Sequence, residues 1–216
     1  MLHEADGRDR RDPSKSIKFI AMATTTPQFF FGAMSPYSWI SAERIERLLP
    51  QARWRGIFLG GMFKSNGRVS WGLTEERDAG IADCEARAAK YGLGPIVWPE
   101  PWPTNDLHVA RAMAYADMHG QLRPFALSAM RLSFLEGANI GELDSVLEAG
   151  RRIGIEPTVL DAALGEQAVK DALRQSTDDA LAQGVFGVPT VIVDGELFWG
   201  DDRLQDAADA YRSISS

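Results

Sequence analysis

The chain has 216 residues, a hydrophobic content of 45% and a formal net charge of -7 at pH 7, so it carries enough apolar material for a sizeable core. The acidic charge argues against a nucleic-acid partner and against an anionic membrane surface. No apolar run approaches the roughly 20 residues that a membrane-spanning helix needs. The single cysteine, Cys84, cannot form an internal disulfide, and we therefore expect a cytoplasmic protein.

The first segment, residues 1–26, is charged and then rich in Ser and Thr. It has no sustained hydrophobic periodicity, so we predict a disordered N-terminal extension. Met22 is a second candidate for the natural start of the protein, beside Met1.

A strand–helix–strand unit is predicted next. Residues 28–33 are an apolar, aromatic run of strand length. Ser35 followed by Pro36 is typical of the N-cap and first turn of a helix, and apolar positions carry this helix to Pro50. Residues 53–60 are the predicted second strand. Two strands joined by one helix form a βαβ unit with a right-handed crossover.

The middle of the chain is predicted to be helical. Residues 61–72 have the composition of a loop, after which apolar residues recur at helical spacing. Residues 98–105 contain three prolines and are excluded from regular structure. The predicted helices cover residues 74–91, 105–118, 124–136, 140–152, 158–164 and 166–183, and Thr104 or Asn105 would cap the second of them.

The last segment predicts a strand–hairpin–helix unit. Val188-Pro189 precedes the apolar, β-branched run Thr190–Val193, which is typical of a buried strand. Asp194-Gly195 is a strong two-residue hairpin signal, Glu196–Trp199 is the returning strand, and an amphipathic helix follows. A proline before a central strand has to take the strand's first position, because it cannot donate to the ladder.

Four motifs in this order resemble the family of 2-hydroxychromene-2-carboxylate isomerases and kappa-class glutathione transferases, a branch of the DsbA-like thioredoxin superfamily. The motifs are Ser35-Pro36-Tyr37-Ser38-Trp39, residues 58–61 with Lys64-Ser65-Asn66, Trp98-Pro99 with Pro103-Thr104-Asn105, and residues 184–190 with 198–204. The resemblance implies an α/β, thioredoxin-like fold with an all-helical domain inserted between the βαβ and ββα halves. The thioredoxin-like domain would cover residues 27–72 and 184–216, and the insertion residues 73–183. The resemblance also implies a homodimer.

Ser35 is the predicted catalytic residue. It stands where redox-active members of the superfamily place the first cysteine of Cys-x-x-Cys. With Ser35 and Ser38 there, the protein cannot itself exchange thiols and disulfides. A serine hydroxyl at a helix N-terminus can instead donate a hydrogen bond to a thiolate that a cofactor supplies, and the positive end of the helix favours that anion. The alternative is that Ser35 only caps the helix.

The resemblance implies that the cofactor is glutathione or another low-molecular-weight thiol. In the family the peptide bond that precedes the proline, here Pro189, is usually cis, and the backbone of Val188 would pair with the cysteinyl backbone of the cofactor. The turn at Asp201 and Asp202 would recognise the γ-glutamyl group, with the Asp202 carboxylate on its ammonium. The alternative for Asp201 is a helix N-cap.

The remaining predicted contacts also follow from the resemblance. Lys64 and Asn66, in the predicted loop, would hold the glycyl carboxylate of the cofactor or an anionic substrate, unless Lys64 is only a solvated loop residue. Tyr37 would stack on an aromatic substrate. Trp102 and Asn105 would cover the pocket from the helical domain, unless Asn105 is only a helix cap.

Neither a reactive cysteine nor a metal site is indicated. Cys84 stands between Asp83 and Glu85, whose charges raise the pKa of a thiol, so we predict a buried structural thiol rather than a nucleophile. The three histidines and one cysteine have no metal-ligand spacing, and we expect no metal.

The resemblance implies a thiol-dependent isomerase that acts on an aromatic or conjugated carbonyl compound by reversible thiolate addition. Two alternatives stay open. One is a glutathione transferase or peroxidase of the kappa class, and the other is a non-catalytic thioredoxin-like binding protein. Isomerisation leaves the thiol unconsumed and transfer consumes it, whereas a binding protein would do neither.

Overall fold

A computed structural model describes residues 26–215 of the chain. The predicted extension over residues 1–26, including Met22, therefore lies outside the described residues except for its last position. In the described part, four strands form one sheet in the order β2-β1-β3-β4. The strands are β1 (Gln28–Phe31), β2 (Arg53–Gly56), β3 (Thr190–Val193) and β4 (Glu196–Trp199).

The pairing of the strands joins the two ends of the described chain in one sheet. β1 is parallel to β2 and antiparallel to β3, and β3 is antiparallel to β4. Phe29, Phe30 and Phe31 of β1 are fully buried, as expected for a central strand that is covered on both faces. The rings of Phe29 and Phe31 meet the Trp54 ring of β2 edge-on, at centroid distances of 5.2 and 5.3 Å. Aromatic contacts therefore reinforce the β1–β2 pair.

Helices make up most of the chain between β2 and β3. α1 (Pro36–Leu48) connects β1 to β2, and α9 (Leu204–Ser215) follows β4. The helices between β2 and β3 are α2 (Leu59–Ser65), α3 (Arg77–Lys90), α4 (Leu107–Met118), α5 (Leu122–Glu136), α6 (Leu143–Arg151), α7 (Pro157–Leu164) and α8 (Gln167–Ala182). Short 3-10 helices cover Trp71–Leu73 and Asp201–Arg203. No helix within residues 26–215 is long and apolar enough to cross a bilayer.

The predicted fold class is confirmed, since helices separate a βαβ half from a ββα half of one sheet. The inserted helices pack directly on the sheet. A Cβ added at Gly56 of β2 would lie 3.2 Å from the Met113 Cβ of α4. One apolar core therefore continues from the sheet into the helices. The domain boundaries near residues 72 and 184 stay a prediction.

The structure corrects the prediction for residues 53–72. β2 ends at Gly56, and α2 occupies positions where the end of a strand and a loop were predicted. α2 begins where it does because the buried carboxylate of Asp106 accepts hydrogen bonds from Leu59 N at 3.0 Å and from Gly60 N at 3.3 Å. A Cβ at Gly60 would lie 3.1 Å from that carboxylate. Glycine thus makes room here for a helix cap, although its usual meaning in a sequence is a loop.

The central strand gives a stability prediction. Phe29 is 0% exposed, whereas Val159 of α7 is 50% exposed. We expect Phe29→Ala to lower the free energy of unfolding by about 3–5 kcal/mol, because it leaves a cavity beside Trp54. Val159→Ala, the matched surface control, should change it by less than about 0.5 kcal/mol. Urea unfolding of the three proteins measures both effects, and equal losses in the two variants would contradict this account of the core.

Candidate active site

One cavity of about 840 Å³ lies where α1 begins, next to the turn that enters β3 and the turn that follows β4. The predicted site residues that line it are Ser35, Tyr37, Trp102, Val188, Pro189, Asp201 and Asp202. The three other predicted residues, Lys64, Asn66 and Asn105, do not line it. The two halves of the thioredoxin-like unit and the inserted helices therefore meet at one cavity.

Ser35 heads α1. Its Oγ accepts a hydrogen bond from the backbone N–H of Ser38 at 3.2 Å, and Pro36 takes the first helical position, so the predicted cap is confirmed. A hydroxyl oxygen that accepts one bond still has its O–H to donate. Since Ser35 is 8% exposed and lines the cavity, that donor and the positive end of α1 are both available to a group that binds there.

The turn before β3 has backbone groups that are free to bind a ligand. The Val188-Pro189 peptide bond is cis. The Pro189 carbonyl accepts from Gly200 N at 2.9 Å, and Thr190 Oγ1 donates to the Gly187 carbonyl at 2.7 Å, which together fix the turn. Among the hydrogen bonds within residues 26–215, none uses the N–H or the C=O of Val188. These two groups can therefore pair with an extended peptide-like ligand in the cavity.

Asp201 and Asp202 lie in different environments. The buried Asp201 carboxylate accepts hydrogen bonds from Arg87 Nη1 at 2.6 Å and from Arg44 Nη1 at 3.4 Å. Burial raises the pKa of Asp201 above its ordinary value, while the two guanidiniums favour its ionised form. The N-cap of this turn is Gly200, which corrects the alternative role given to Asp201. Asp202 is exposed and lies 3.6 Å from Arg87, so its carboxylate is accessible to a ligand.

A hydrogen-bonded cluster continues from this turn to Tyr37. The Tyr37 hydroxyl donates to Asp83 at 2.8 Å, and burial, with smaller contributions from Cys84 and Asp83, raises the pKa of Tyr37. Partial burial alone would lower the pKa of Arg87, but Asp201 and Asp83 outweigh it and raise this pKa. Burial also raises the pKa of the Cys84 thiol to about 12. Cys84 is fully buried, which confirms the predicted structural thiol.

Tryptophans form much of the apolar wall. Trp102 is 6% exposed, and its Nε1 donates to the Met34 carbonyl at 3.1 Å. Its ring lies 4.9 Å from that of Trp71, which also lines the cavity. At the rim, Trp199 is 46% exposed and packs against Phe186 at 4.9 Å. The wall therefore has a buried aromatic side and an exposed aromatic rim.

The positions of Lys64, Asn66 and Asn105 differ from those expected. Lys64 is an exposed residue in the last turn of α2, and it is the adjacent Phe63 that lines the cavity, because neighbouring helical residues point about 100° apart. The Asn66 side chain donates to the Phe186 carbonyl at 3.4 Å. Asn105 Oδ1 accepts from the first amide of α4 at 3.0 Å, in keeping with its alternative role at a helix start.

Two cations of the cavity were missed from the sequence. Arg68 lines it, donates to the Phe186 carbonyl at 3.2 Å and lies 6.0 Å from the Trp199 ring centroid. Arg87 lines it from α3. The spacing of Asp83 and Arg87 indicates only a surface ion pair on one helix, and nothing local marks Arg68. Within residues 26–215, no group of three or more His, Cys, Asp or Glu side chains could hold a metal ion.

The sheet order, the serine-headed helix and the cis-proline turn beside it define a thioredoxin-like protein. Residues 28–212 match the family model described as the DSBA-like thioredoxin domain. The chain belongs to this family.

Two relatives and one solved structure are similar to most of this chain. It is 26% identical over 195 residues to 2-hydroxychromene-2-carboxylate isomerase of Sphingobium xenophagum, covering 84% of this chain and 95% of the relative. It is 24% identical over 201 residues to human glutathione S-transferase kappa 1, covering 83% and 88%. A solved structure of 2-hydroxychromene-2-carboxylate isomerase superposes with a TM-score of 0.74 at 22% identity, covering 88% of this chain and 95% of that structure. The names of the two relatives support an enzymatic function, and the superposition shows the shared fold.

Asp106, whose carboxylate caps α2, gives a pH prediction. It bears on the cavity because α2 contributes Leu59 and Phe63 to the cavity wall. Burial, partly offset by the two N–H donors, raises the pKa of Asp106 from 3.8 to about 6. The folded state then holds a proton that the unfolded chain loses first, so this group's contribution to stability falls as pH rises from about 4 to about 6. The change should reach about 3 kcal/mol.

The measurement compares the unfolding free energy of the native protein with that of Asp106→Asn across this pH range. The unfolding free energy of the native protein minus that of Asp106→Asn should fall with rising pH, since asparagine does not titrate. A pH-independent difference would contradict the assignment of a proton to Asp106.

Proposed function

We propose that this protein is a thiol-dependent isomerase. It binds glutathione or another low-molecular-weight thiol in the cavity and acts on an aromatic or conjugated carbonyl compound. The observation that carries the proposal is that Ser35, at the start of α1, lines the same cavity as Val188, whose backbone N–H and C=O form no hydrogen bond within residues 26–215. The names of the relatives, isomerase and glutathione transferase, agree with it.

The residues present fit a γ-glutamyl tripeptide. The cavity volume of about 840 Å³ lies within the usual range for small-molecule sites. The N–H and C=O of Val188 can pair with a peptide backbone, and the exposed Asp202 carboxylate suits an ammonium group. Three arginines of the described residues line the cavity, and two of them, Arg87 and Arg203, already pair with Asp201 and Asp206. Arg68, rather than Lys64, is therefore the cation that can receive a terminal carboxylate.

Within this proposal, Ser35 acts on the sulfur. When bound, the thiol supplies a nucleophile that adds reversibly to an electrophilic, conjugated carbonyl compound. The Ser35 O–H donates a hydrogen bond to the thiolate, and the positive end of α1 favours that anion by roughly 0.3–1 kcal/mol. Both effects lower the pKa of a thiol below its free value of about 8.5, so that the thiolate predominates at neutral pH.

Other residues position the ligands and exclude water. Arg87 binds Asp201 and approaches Asp202, which holds the turn that would receive the γ-glutamyl group. Tyr37, Trp71 and Trp102 form an apolar wall against which an aromatic ring can stack. The Tyr37 hydroxyl is already bonded to Asp83, so its proposed role rests on its ring.

A kappa-class glutathione transferase is the second candidate, because a relative of that name matches at nearly the same identity as the isomerase. A cytoplasmic location and a homodimer remain parts of the proposal. So does the exclusion of disulfide exchange, since the chain has one cysteine and it is buried.

Ligand binding tests the cofactor. We expect glutathione, at a hundred times its dissociation constant, to stabilise the protein by about 2.7 kcal/mol in thermal unfolding. Cysteinylglycine, which lacks the γ-glutamyl group, should bind more weakly. Asp202→Asn should remove most of that difference, whereas Asp209→Asn, an exposed control on α9 outside the cavity, should not. If no thiol in such a panel stabilises the protein, the cofactor assignment is wrong.

Turnover tests the reaction. With a 2-hydroxychromene-2-carboxylate and glutathione, the isomerase should convert the substrate while the concentration of free thiol stays constant. Loss of one thiol per substrate converted would identify a transferase instead. Binding of thiol without conversion of any conjugated carbonyl compound would favour the non-catalytic alternative.

Replacement of Ser35 tests the role of its hydroxyl. We expect Ser35→Ala to raise the pKa of bound glutathione by about 1–2 units, because a hydrogen bond to a charged group is lost. The ultraviolet absorbance of the thiolate measures this pKa. Ser70→Ala is the matched control, since Ser70 also lines the cavity and accepts from a helix amide. An unchanged pKa in Ser35→Ala would remove the proposed function of this residue.

A further inference from the structure

A second cavity, of about 310 Å³, lies between α2, α4 and α8. It shares no lining residue with the candidate active site. Its apolar lining consists of Phe58, Leu107, Leu173 and Leu181. The hydroxyl of Thr177 is satisfied there, because it donates to the Leu173 carbonyl at 3.0 Å and accepts from Phe58 N at 3.1 Å. The floor of the cavity is therefore apolar in character.

Cations surround this apolar floor. Arg111 of α4 and Lys170 of α8 are half-buried. Arg174 lies on the same rim, exposed and paired with Asp171 at 2.9 Å, and Asp178 is the one carboxylate in the lining of this cavity. Within residues 26–215, neither Arg111 nor Lys170 forms an ion pair. Arg111 has only a 3.4 Å bond to the Leu164 carbonyl.

Carboxylates are plentiful in a protein with a net charge of -7. Within residues 26–215, Arg111 and Lys170 nevertheless have no carboxylate partner, although Asp178 lines the same cavity. A partly buried cation is stabilised by an opposite charge and by donating its hydrogen bonds. An apolar floor next to such donors matches a ligand with an apolar body and an anionic end.

The geometry points to a second ligand site, in which a small amphipathic anion binds between α2, α4 and α8. Its anionic head is held by Arg111 and Lys170, and its apolar tail covers Phe58, Leu107 and Leu173. The volume equals that of about ten water molecules at about 30 Å³ each, which suits a medium-chain carboxylate. The site is independent of the function proposed for the larger cavity.

Calorimetric titration of the whole protein with octanoate tests this site. We expect saturable binding with one site per chain, and at least tenfold weaker binding of octanamide, which has the same tail without the charge. Lys170→Gln and Arg111→Gln should each weaken octanoate binding at least fivefold. Lys90→Gln, which removes one exposed charge on α3 outside both cavities, should leave it unchanged. Thermal unfolding of each variant confirms that it is folded.

Three results would overturn the proposal. One is the absence of saturable octanoate binding to the native protein. Another is equal binding of octanamide, which would remove the role of the cations. The third is octanoate binding that is unchanged by Lys170→Gln and Arg111→Gln but weakened by Arg68→Gln, since this would place the ligand in the larger cavity.

Discussion

The ion pair between Arg87 and the buried carboxylate of Asp201 is the contact on which the candidate active site depends. It joins α3, an inserted helix, to the turn after β4, and Arg44 of α1 reaches the same carboxylate. Three segments far apart in sequence are thus fixed around one buried charge. Arg87 is itself partly exposed, but without it the buried Asp201 carboxylate would keep only Arg44 as a cationic partner, so the turn depends on the packing of the inserted helix α3 against it.

Much of the sheet could be predicted because its signals are local. The phenylalanine run of β1, the Ser35-Pro36 pair and the Asp194-Gly195 hairpin each specify their structure from neighbouring residues alone. α2 could not be predicted in this way. Its first amides are capped by Asp106, 46 and 47 residues further along the chain, and its glycines make local propensity favour a loop. The helix exists through a tertiary contact that leaves no trace in the segment itself.

The residues of the candidate site could likewise be predicted where their signals are local, and could not where their positions depend on long-range packing. Ser35, Val188 and Asp202 stand at the ends of elements that the sequence marks clearly, and the structure places all three at the cavity. Lys64 was misplaced because the loop around it is a helix, in which it points away from the wall that its neighbour Phe63 lines. Arg68 was missed because its relation to Trp199 arises only when the segment after α2 approaches β4. Roles set by long-range packing need the fold before they can be read.

The aromatic wall has a practical consequence. Three of the six tryptophans of the chain, Trp71, Trp102 and Trp199, line the cavity. Indole emission responds to the polarity and to the quenching groups around the ring, so a molecule entering the cavity changes the intrinsic fluorescence of the native chain. The protein therefore carries its own optical reporter of occupancy, with no label needed.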